Sequence, residues 1–575
     1  HPGAAHADDV RRIEILSAGW ERIQITVRFR PTDDRPLDPA GIRLHEADRG
    51  GRGGDHGRLV SPARASLDDD GVLVARFNVM QGPDQDPLPA GRWSVVVLSG
   101  AKREGHRRFQ PLAAHDRVAA SAILDGCVGT FPLTRGRYAV APVVDGGGRL
   151  ALAVTMGPLE PLPAAVGAGG TEGDDPDSLA RSTLARLTRP LRRLRPLAFR
   201  VLYRAIGIAS RRNGRRILFT SDSRAELGGN QKIVYDRMVA RGLDRTYELQ
   251  TLFKESITVR RGFRDRLRLP WLLARADTIV IDDYQPVIAH LTYPDARIIQ
   301  LWHAWGAFKT VGYSRVGKPG GLSPFSRVHK NYAFAIVSSA SEVAAYAEAF
   351  GIPESRVMPT GIPRMDQFWD PARAAASREA TLEAYPAARG RRVFLFAPTF
   401  RGHGAKTAFY DMDWLDLPAL HALCVEKDAV CLIRMHPFVR TPLDIPPAFA
   451  DRIIDGATSS IDINDVLFAT DLLITDYSSV VFEFSTMDRP MLFFAPDLEE
   501  YVASRDFYVD YTSFVPGRIV RTFDALLDAI RREDHGAERL AAFRAAHLDR
   551  FDGQATDRVI ELILATQDRP KAGEG

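Results

Sequence analysis

The chain has 575 residues and a formal net charge of +4 at pH 7, with 45% hydrophobic and 26% charged residues. This composition excludes a disordered or fibrous protein, and the length predicts about three to four domains. The three cysteines are too few and too scattered for a disulfide framework or a zinc site, which favours a reducing compartment. No apolar run approaches the ~20 residues that cross a bilayer. Because the sequence begins with His1 and shows no signal-peptide pattern there, we expect a piece of a longer protein.

The first 156 residues alternate apolar and polar side chains in short runs, separated by clusters of Gly, Pro and Asp. This pattern predicts an all-β sandwich domain over residues 1–156. The histidines of this region are dispersed and lack the spacing of a metal site, so we expect the domain to bind glycan, protein or envelope rather than to catalyse. Six runs carry the strand prediction, and they begin at Ile13, Ile23, Val72, Arg92, Arg137 and Leu150.

A linker rich in Pro, Gly and Ala leads into a strongly basic segment, and together they occupy residues 157–212. Apolar residues recur at helical spacing among the arginines, which predicts a basic amphipathic helix that faces an anionic membrane. The alternative is a solvated helix packed on the next domain. Nucleic acid is not expected, because Phe199 and Tyr203 are the only aromatic residues there that could stack on bases. The arginines predicted to face the membrane are Arg192, Arg193 and Arg195.

From residue 213 onward, apolar runs that predict buried strands alternate with amphipathic runs that predict helices. This alternation predicts two parallel, doubly wound domains, over residues 213–375 and 376–575. Facing one another across a cleft, they would form the two-Rossmann architecture of nucleotide-sugar transferases. Ligand sites in such sheets lie at the carboxyl ends of the strands. The predicted fold class is therefore α/β, preceded by an all-β domain.

One predicted strand end lies in the middle of the last domain. The strand that begins at Leu472 ends before Asp476, and Ser478 and Ser479 then open an amphipathic helix. Hydroxyls at a helix N-terminus lie beside backbone N–H groups that lack intrahelical partners, which favours phosphate binding. The alternative for a lone serine is a plain helix cap.

Two histidines also follow predicted strands. His303 lies in a glycine-containing loop between Trp302 and Trp305, and His436 occupies the corresponding position in the second domain. A histidine at such a position can carry a proton near neutral pH, and the alternative is a hydrogen-bonded structural histidine. One histidine from each domain predicts an active site that spans the cleft. Further polar residues at strand ends are Thr399, Arg401 and Arg434.

Four ordered motifs resemble those of the CDP-glycerol glycerophosphotransferase family, the teichoic acid primases and polymerases. They lie at Leu301–Arg315, Ala397–Gly402, Ile433–Pro437 and Ile474–Phe484. The resemblance implies a GT-B fold and peripheral attachment to the cytoplasmic face of the cell membrane. It also implies transfer of a polyol phosphate, glycerol or ribitol phosphate, from a CDP-polyol donor to a hydroxyl of a lipid-linked or growing polyol-phosphate acceptor, with release of CMP.

The resemblance also implies roles for individual residues. His303 matches the general base toward the acceptor hydroxyl, and His436 matches the histidine that contacts the donor pyrophosphate. Ser478 and Ser479 match the hydroxyls that hold phosphate, and Asp476 lies beside them. Neither a metal nor a cofactor is predicted. Expected to complete the donor site are Thr399, Arg401 and Arg434. Expected on the acceptor side are Trp305, Gly306 and Lys309.

Several alternatives stay open. Ala304-Trp305-Gly306 after His303 departs from the commoner Trp-His-Gly-Thr motif and leaves the polyol undecided, and Lys309 could instead be a solvated loop residue. A GT-B glycosyltransferase that uses a nucleotide sugar is a second possible function, against which the paired Asp-Tyr-Ser-Ser and His-Pro motifs argue. A non-catalytic envelope-glycan-binding protein is a third. The acceptor, the choice between primase and polymerase, and the oligomeric state are not predicted.

Overall fold

The computed structural model describes residues 10–46, 58–83, 86–103, 106–133, 136–157, 197–210, 212–257, 259–289, 297–318, 321–402, 407–457 and 459–565. The arginines predicted to face a membrane, Arg192, Arg193 and Arg195, lie outside these ranges. Within the ranges, none of the helices has the length and apolar character that a membrane crossing needs.

The N-terminal region, residues 10–157, is built from β-strands and one short helix, and we call it the β unit. Helix α1 (Arg117–Leu124) starts after Asp116, whose carboxylate accepts two N–H groups of its first turn. All six strands predicted from the sequence are present. The strands are β1 (Arg11–Glu21), β2 (Gln24–Pro31), β3 (Ile42–Glu46), β4 (Arg58–Val60), β5 (Arg64–Leu67), β6 (Leu73–Asn78), β7 (Gly91–Arg103), β8 (His106–Ala114), β9 (Gly129–Leu133), β10 (Gly136–Val144) and β11 (Leu150–Gly157).

These strands belong to one sheet, ordered β5-β6-β2-β1-β8-β7-β11-β10-β9, with β3 beside β7 and β4 beside β3. β1 and β8 run parallel, whereas neighbours such as β1 and β2 run antiparallel. Alternate side chains of β1, such as Ile13 and Ile15, are buried, as the period of two in a half-buried strand requires. The all-β prediction is confirmed, and the sandwich arrangement stays a prediction.

The first α/β unit follows, with helix α2 (197–209) in front of it. Its strands are β12 (Arg216–Ser221), β13 (Glu248–Phe253), β14 (Thr278–Ile281), β15 (Arg297–Gln300), β16 (Tyr332–Ile336) and β17 (Val357–Met358). They form a parallel sheet in the order β13-β12-β14-β15-β16-β17. Its helices are α3 (Gly229–Ala240), α4 (Phe263–Arg275), α5 (Pro286–Ala289), α6 (Val343–Phe350), α7 (Asp366–Trp369) and α8 (Pro371–Ala384).

The second α/β unit has the strands β18 (Arg392–Phe396), β19 (Ala429–Ile433), β20 (Ile453–Asp455), β21 (Leu472–Thr475), β22 (Met491–Phe494) and β23 (Arg518–Val520). They form a parallel sheet in the order β20-β19-β18-β21-β22-β23. Both predicted doubly wound sheets are thus present, while the predicted domain limits stay predictions. The helices of the second α/β unit are α9 (Leu417–Glu426), α10 (Ile463–Ala469), α11 (Val480–Ser485), α12 (Leu498–Ser504), α13 (Tyr511–Phe514), α14 (Phe523–Arg532), α15 (Ala537–His547) and α16 (Ala555–Ala565).

The C-terminal helix α16 returns to the first α/β unit. Asp557 of α16 accepts two hydrogen bonds from Arg237 of α3, at 2.9 and 2.7 Å. One apolar core contains buried residues of both sheets, among them Phe219 and Leu395. Burial of that shared apolar surface, rather than the exposed ion pair, is what stabilises the contact between the two α/β units.

Buried contacts also attach the β unit to the first α/β unit. Tyr313, from the loop that follows β15, lies in the apolar core of the β unit. Lys330 is fully buried, donates to a main-chain carbonyl of the β unit at 2.7 Å, and lies 4.9 Å from the ring centre of Tyr313. Arg22, at the turn between β1 and β2, forms an ion pair at 2.6 Å with the buried Glu348 of α6. The β unit is therefore packed against the loop that carries His303.

Candidate active site

The sheets bring the predicted site residues to their carboxyl edges. Strand order reverses between β12 and β14 in the first sheet and between β18 and β21 in the second. A crevice opens at such a reversal, because the connections on its two sides leave in opposite directions. Thr399 follows β18 and Asp476 follows β21, so they lie side by side, while His303 follows β15 of the first sheet.

His303 is exposed, and two contacts hold its ring. Its Nδ1 lies 3.2 Å from the main-chain carbonyl oxygen of Asp282, and its ring centre lies 4.4 Å from that of Trp302. A carbonyl oxygen only accepts hydrogen bonds, so this contact requires a proton on Nδ1. The neutral ring then has its lone pair on Nε2, which can accept a proton from a bound hydroxyl.

The loop before His303 has a strained main chain. Trp302 has a φ of 50°, in the left-handed region that bulky residues rarely adopt. The buried side chain of Asn230 donates to the Trp302 carbonyl at 2.8 Å, and the side chain of Gln300 accepts the Trp302 N–H at 2.8 Å. Strain of this kind persists only where the surroundings fix it, and these two bonds fix it here.

Asp282 lies at the end of β14 and connects His303 to a second loop. Its carboxylate, 1% exposed, pairs with Arg224 at 2.6 Å. Burial raises the pKa of Asp282, and the opposite charge of Arg224 acts against that shift. The same residue that orients the imidazole through its main chain therefore fixes the loop after β12 through its side chain.

Two residues predicted to contact an acceptor lie in the interior instead. Trp305 is 1% exposed and packs on Phe368, with ring centres 5.9 Å apart. Gly306 has a φ of 78°, and a Cβ atom there would lie 1.9 Å from the ring of Phe482. Only glycine fits such a position. Both residues pack the loop between the two α/β units rather than presenting it to a ligand.

Lys309, also predicted on the acceptor side, points toward the second α/β unit. Its Nζ donates to the hydroxyl of Tyr501 at 3.0 Å. Burial lowers the pKa of Lys309 to about 8, although the negative charge of Asp476 acts to raise it. Lys309 therefore lies among the residues predicted for the donor, because the loop crosses from one unit to the other.

Three residues predicted to bind the donor form a buried cluster with Asp497. One oxygen of Asp476 accepts the N–H and the hydroxyl of Thr399, each at 2.7 Å, and the other accepts Arg401 at 2.7 Å. Arg401 also makes two bonds to Asp497, at 2.7 and 2.8 Å. The polar atoms of Thr399, Asp476 and Arg401 thus satisfy one another, as buried charges require, instead of facing a ligand.

The guanidinium of Arg401 is enclosed as well as neutralised. Its side chain is 8% exposed. Burial alone lowers the pKa of Arg401, but the hydrogen bonds and charges of Asp497 and Asp476 outweigh burial and raise it. Four rings surround it at 5.1 to 5.4 Å, a cation–π arrangement formed by Tyr410, Trp414, Tyr477 and Tyr501.

Arg434 follows β19 and keeps an unneutralised charge. It donates to the main-chain carbonyls of Gly456 at 3.0 Å and Ile461 at 2.5 Å. Among the residues that the structure describes, no carboxylate lies within ion-pair distance of it. Carbonyl oxygens orient a guanidinium without cancelling its charge, so Arg434 can attract an anion.

His436 is half-buried and has a defined tautomer. Its Nδ1 accepts the N–H of Phe438 at 3.1 Å, so the neutral ring carries its proton on Nε2. Burial, and after it the charge of Lys309, lowers the pKa of His436. The ring is therefore neutral at pH 7 and can donate one hydrogen bond from Nε2.

Ser478 and Ser479 lie before α11, as predicted. Ser478 Oγ accepts the N–H of Val480 at 3.3 Å, and Ser479 is exposed. Helix α11 has only six residues. The dipole of so short a helix is small, because few peptide units contribute to it. An anion at this turn would therefore be bound by the serine hydroxyls and the main-chain N–H groups.

The residues that hold these groups in place were not predicted from the sequence. Asp282 ends a predicted strand and Asp497 follows β22 closely, so the strand-end rule that selected Asp476 could have selected both. Arg224 and Asn230 lie in a polar loop and a helix start with no recognisable motif. Their partners are remote in sequence, so no local pattern indicated them.

Comparison with known proteins places this chain in a family. Residues 202–565 match the model of the family CDP-Glycerol:Poly(glycerophosphate) glycerophosphotransferase. The chain belongs to this family. The family resemblance seen in the four motifs is confirmed, and so is the prediction of a CDP-polyol phosphotransferase.

Two curated relatives are teichoic acid polymerases. The teichoic acid ribitol-phosphate polymerase TarK of Staphylococcus aureus (strain NCTC 8325 / PS 47) is 44% identical over 371 residues, which are 64% of this chain and 72% of that one. The teichoic acid poly(ribitol-phosphate) polymerase of Bacillus spizizenii (strain ATCC 23059 / NRRL B-14472 / W23) is 38% identical over 395 residues, 68% of this chain and 63% of that one. Part of each relative therefore lies outside the matched region.

A solved structure has the same fold. The wall teichoic acid polymerase TagF superposes with a TM-score of 0.54 at 23% identity, covering 68% of this chain and 98% of that one. The likeness shows that the mixed α/β architecture is shared with a teichoic acid polymerase.

Proposed function

We propose that this glycerophosphotransferase-family chain transfers ribitol phosphate from CDP-ribitol to the terminal hydroxyl of a polyol-phosphate acceptor. A bond forms between the acceptor oxygen and the polyol-bearing phosphorus, and the bond from that phosphorus to the oxygen of CMP breaks. The acceptor proton passes to the enzyme, and CMP leaves. The observation that carries the proposal is the presence of two strand-end histidines with opposite tautomers, one oriented to accept a proton and one to donate a hydrogen bond.

His303 acts on the acceptor in this proposal. Its Nδ1–H donates to the Asp282 carbonyl, which leaves Nε2 to take the proton of the attacking hydroxyl. A base held in one orientation raises the rate because the hydroxyl becomes a better nucleophile in line with phosphorus. The fixed main chain of Trp302 supplies that orientation.

The donor pyrophosphate binds to the second α/β unit. His436 donates from Nε2, Ser478 and Ser479 donate hydroxyl protons, and Arg434 and Lys309 supply positive charge. Phosphoryl transfer depends mainly on such positioning and charge stabilisation. The cluster of Thr399, Arg401 and Asp476 supports these groups by fixing the ends of β18 and β21.

Two facing parallel sheets and the returning helix α16 support a GT-B arrangement for residues 213–575, with the acceptor on the first α/β unit and CDP on the second. Ribitol rather than glycerol is favoured because both polymerase relatives named above carry ribitol phosphate in their names.

CMP release tests the proposed function. We expect CMP from CDP-ribitol with a lipid-linked polyol-phosphate acceptor analogue, much less from CDP-glycerol, and no nucleotide release from UDP-glucose. Preferential use of CDP-glycerol would correct the polyol, and release from UDP-glucose would favour a glycosyltransferase. No release from any donor, together with no binding of CDP in calorimetry, would overturn the proposal.

The change His436→Ala should weaken CDP-polyol binding at least tenfold as well as reduce the rate, because it removes a hydrogen bond to a charged phosphate. Calorimetric titration of CDP-ribitol measures the affinity. His421→Ala is the matched control, since His421 lies in the same unit and pairs with the exposed Asp451. Unchanged donor affinity in the His436 variant would remove His436 from the donor site.

We also propose that helix α4 contacts an anionic membrane on the cytoplasmic face. Phe263, Leu267 and Trp271 recur every fourth residue and are 75%, 52% and 46% exposed. Residues at this spacing share one helix face, and exposed apolar rows of this kind mark interaction surfaces. Exposed arginines flank the row, and lipid phosphates would pair with them: Arg264, Arg266 and Arg268. Helix α2 also carries exposed apolar side chains, among them Val201 and Ile208.

The double change Phe263→Ser, Trp271→Ser should lower the fraction of protein bound to phosphatidylglycerol vesicles at least fivefold, because it removes two large side chains from the apolar row. Co-sedimentation measures the bound fraction. The control is Val118→Ser, Val128→Ser, which removes two side chains of the β unit that are 76% and 52% exposed. Equal losses in both variants, or none in either, would reject a membrane role for α4.

A further inference from the structure

A cavity of about 400 Å³ lies where the β unit meets both α/β units, apart from the site described above. This volume is within the range of small-ligand sites, roughly 300–1,000 Å³. The β unit contributes Arg22, Arg64 and Arg76, helix α6 contributes Ala344, and the second α/β unit contributes Tyr508. No residue assigned to the transfer reaction lines it.

The arginine side of the cavity has an unusual charge arrangement. Arg64 on β5 and Arg76 on β6 are directly paired across the antiparallel strands. Like charges in this position repel one another and destabilise the pair of strands. Arg76 lies 3.5 Å from the half-exposed Glu21, which also lines the cavity, whereas Arg64 has no carboxylate within ion-pair distance among the described residues. An anion bound between the two guanidiniums would relieve the repulsion.

The rest of the lining is rigid and offers groups that bind hydroxyls. Arg22 donates two hydrogen bonds to the buried Glu348, at 2.6 and 3.1 Å, and these bonds fix the position of its side chain in the cavity lining. Glu354 and the buried Gln24 also line the cavity. A carboxylate accepts hydrogen bonds from hydroxyls, and an amide both donates and accepts them. The cavity thus pairs a cationic side with a side suited to a polyol.

The cavity also lies next to the loop that follows β15. Ala307 is one of its lining residues and belongs to the loop that carries His303 and Lys309. The cavity and the proposed acceptor site therefore share one loop, with Ala307 four residues after His303 in the chain. The ligand is therefore expected to be part of the polymer rather than an unrelated metabolite.

We propose that this cavity binds a repeat of the polyol-phosphate chain, with a phosphodiester between Arg64 and Arg76 and polyol hydroxyls on Glu354 and Gln24. The identity of the ligand rests on the proposed function, whereas the site itself rests on the cavity and its charges. A second point of attachment retains the growing chain between transfers, because the chain end rebinds at a high effective concentration. The site then governs product length more than the rate of a single transfer.

Calorimetric titration of a polyol-phosphate tetramer into the full-length chain tests the site. The variant Arg64→Gln, Arg76→Gln should bind the tetramer at least tenfold more weakly, and Ala344→Trp, which fills the cavity without changing charge, should do the same. The control Arg30→Gln, Arg35→Gln removes two exposed charges of the β unit that do not line the cavity, and it should stay within twofold of the wild type. Binding at the transfer site is common to all variants, so the differences report on the cavity.

The following results decide the outcome. Tetramer affinity within twofold of the wild type in both cavity variants would overturn the proposal, as would equal weakening in the control. Inorganic phosphate or phosphatidylglycerol vesicles that bind as tightly as the tetramer, and lose affinity in the same variants, would overturn the assignment to polyol phosphate. In transfer assays, the arginine variant should release CMP with a one-repeat acceptor within twofold of the wild type but make shorter polymer. Absence of CMP release with the cavity effects intact would reject only the proposed reaction.

Discussion

The change His303→Ala is expected to reduce CMP release by at least about 100-fold while leaving CDP-ribitol affinity within about threefold of the wild type. In the proposed reaction the imidazole takes the acceptor proton, so its loss slows the chemical step. It makes no contact in the donor cluster, so donor binding should survive. Steady-state CMP release and calorimetric donor titration together measure the two effects.

A matched histidine separates this effect from a general loss of structure. His115→Ala changes an exposed histidine of the β unit and should leave both quantities unchanged. A large loss of donor affinity in the His303 variant would instead place this histidine on the CDP side of the cleft. Turnover close to the wild type would remove it from the reaction.

The change Arg401→Ala is expected to destabilise the second α/β unit by about 3–5 kcal/mol, because the buried carboxylate of Asp476 and the partly buried carboxylate of Asp497 would lose their cation. Chemical denaturation followed by tryptophan fluorescence measures the loss, and Trp414 lies beside the guanidinium as a local reporter. If Arg401 were a phosphate ligand, the variant would keep its stability and lose only donor affinity.

Two further variants test whether Arg401 stabilises the second α/β unit through its charge. Arg521→Ala breaks an exposed pair with Glu499 and should leave the denaturation midpoint nearly unchanged. Combining Arg401→Met with Asp476→Asn and Asp497→Asn removes the uncompensated charges and should recover much of the stability lost in the single variant. Failure to recover would mean that the contacts with the four aromatic rings, not the two carboxylates, make Arg401 necessary.

The sequence predicted the strands and the strand-end positions well, for a physical reason. Runs such as Leu472–Thr475 are apolar because helices cover both faces of a parallel sheet, and the turn after each run then lies at the carboxyl edge. Local pattern alone therefore placed His303, Thr399 and Asp476 at strand ends. The all-β character of the first region followed from its period-two alternation in the same way.

What each strand-end group does could not be predicted, because that depends on partners far away in the chain. Arg401 and Asp497 are 96 residues apart, and only folding brings them together. Lys309 follows His303 closely in sequence, yet its ammonium meets Tyr501 of the other α/β unit. Trp305 lies close in sequence to His303, the proposed base, which favoured a role in ligand contact, but its side chain is buried against Phe368. The sequence shows the type and position of each residue, but it does not show which residues become partners in the fold.

The burial of Tyr313 and Val316 in the core of the β unit has a consequence during protein synthesis. The strands of the β unit leave the ribosome before the two α/β units, but their apolar core lacks these two side chains until the loop after β15 has also emerged. The N-terminal region therefore stays incomplete for much of translation, and its final consolidation coincides with formation of the loop that carries His303. A nascent chain arrested before residue 313 should be more sensitive to protease in the β unit than the 575-residue chain.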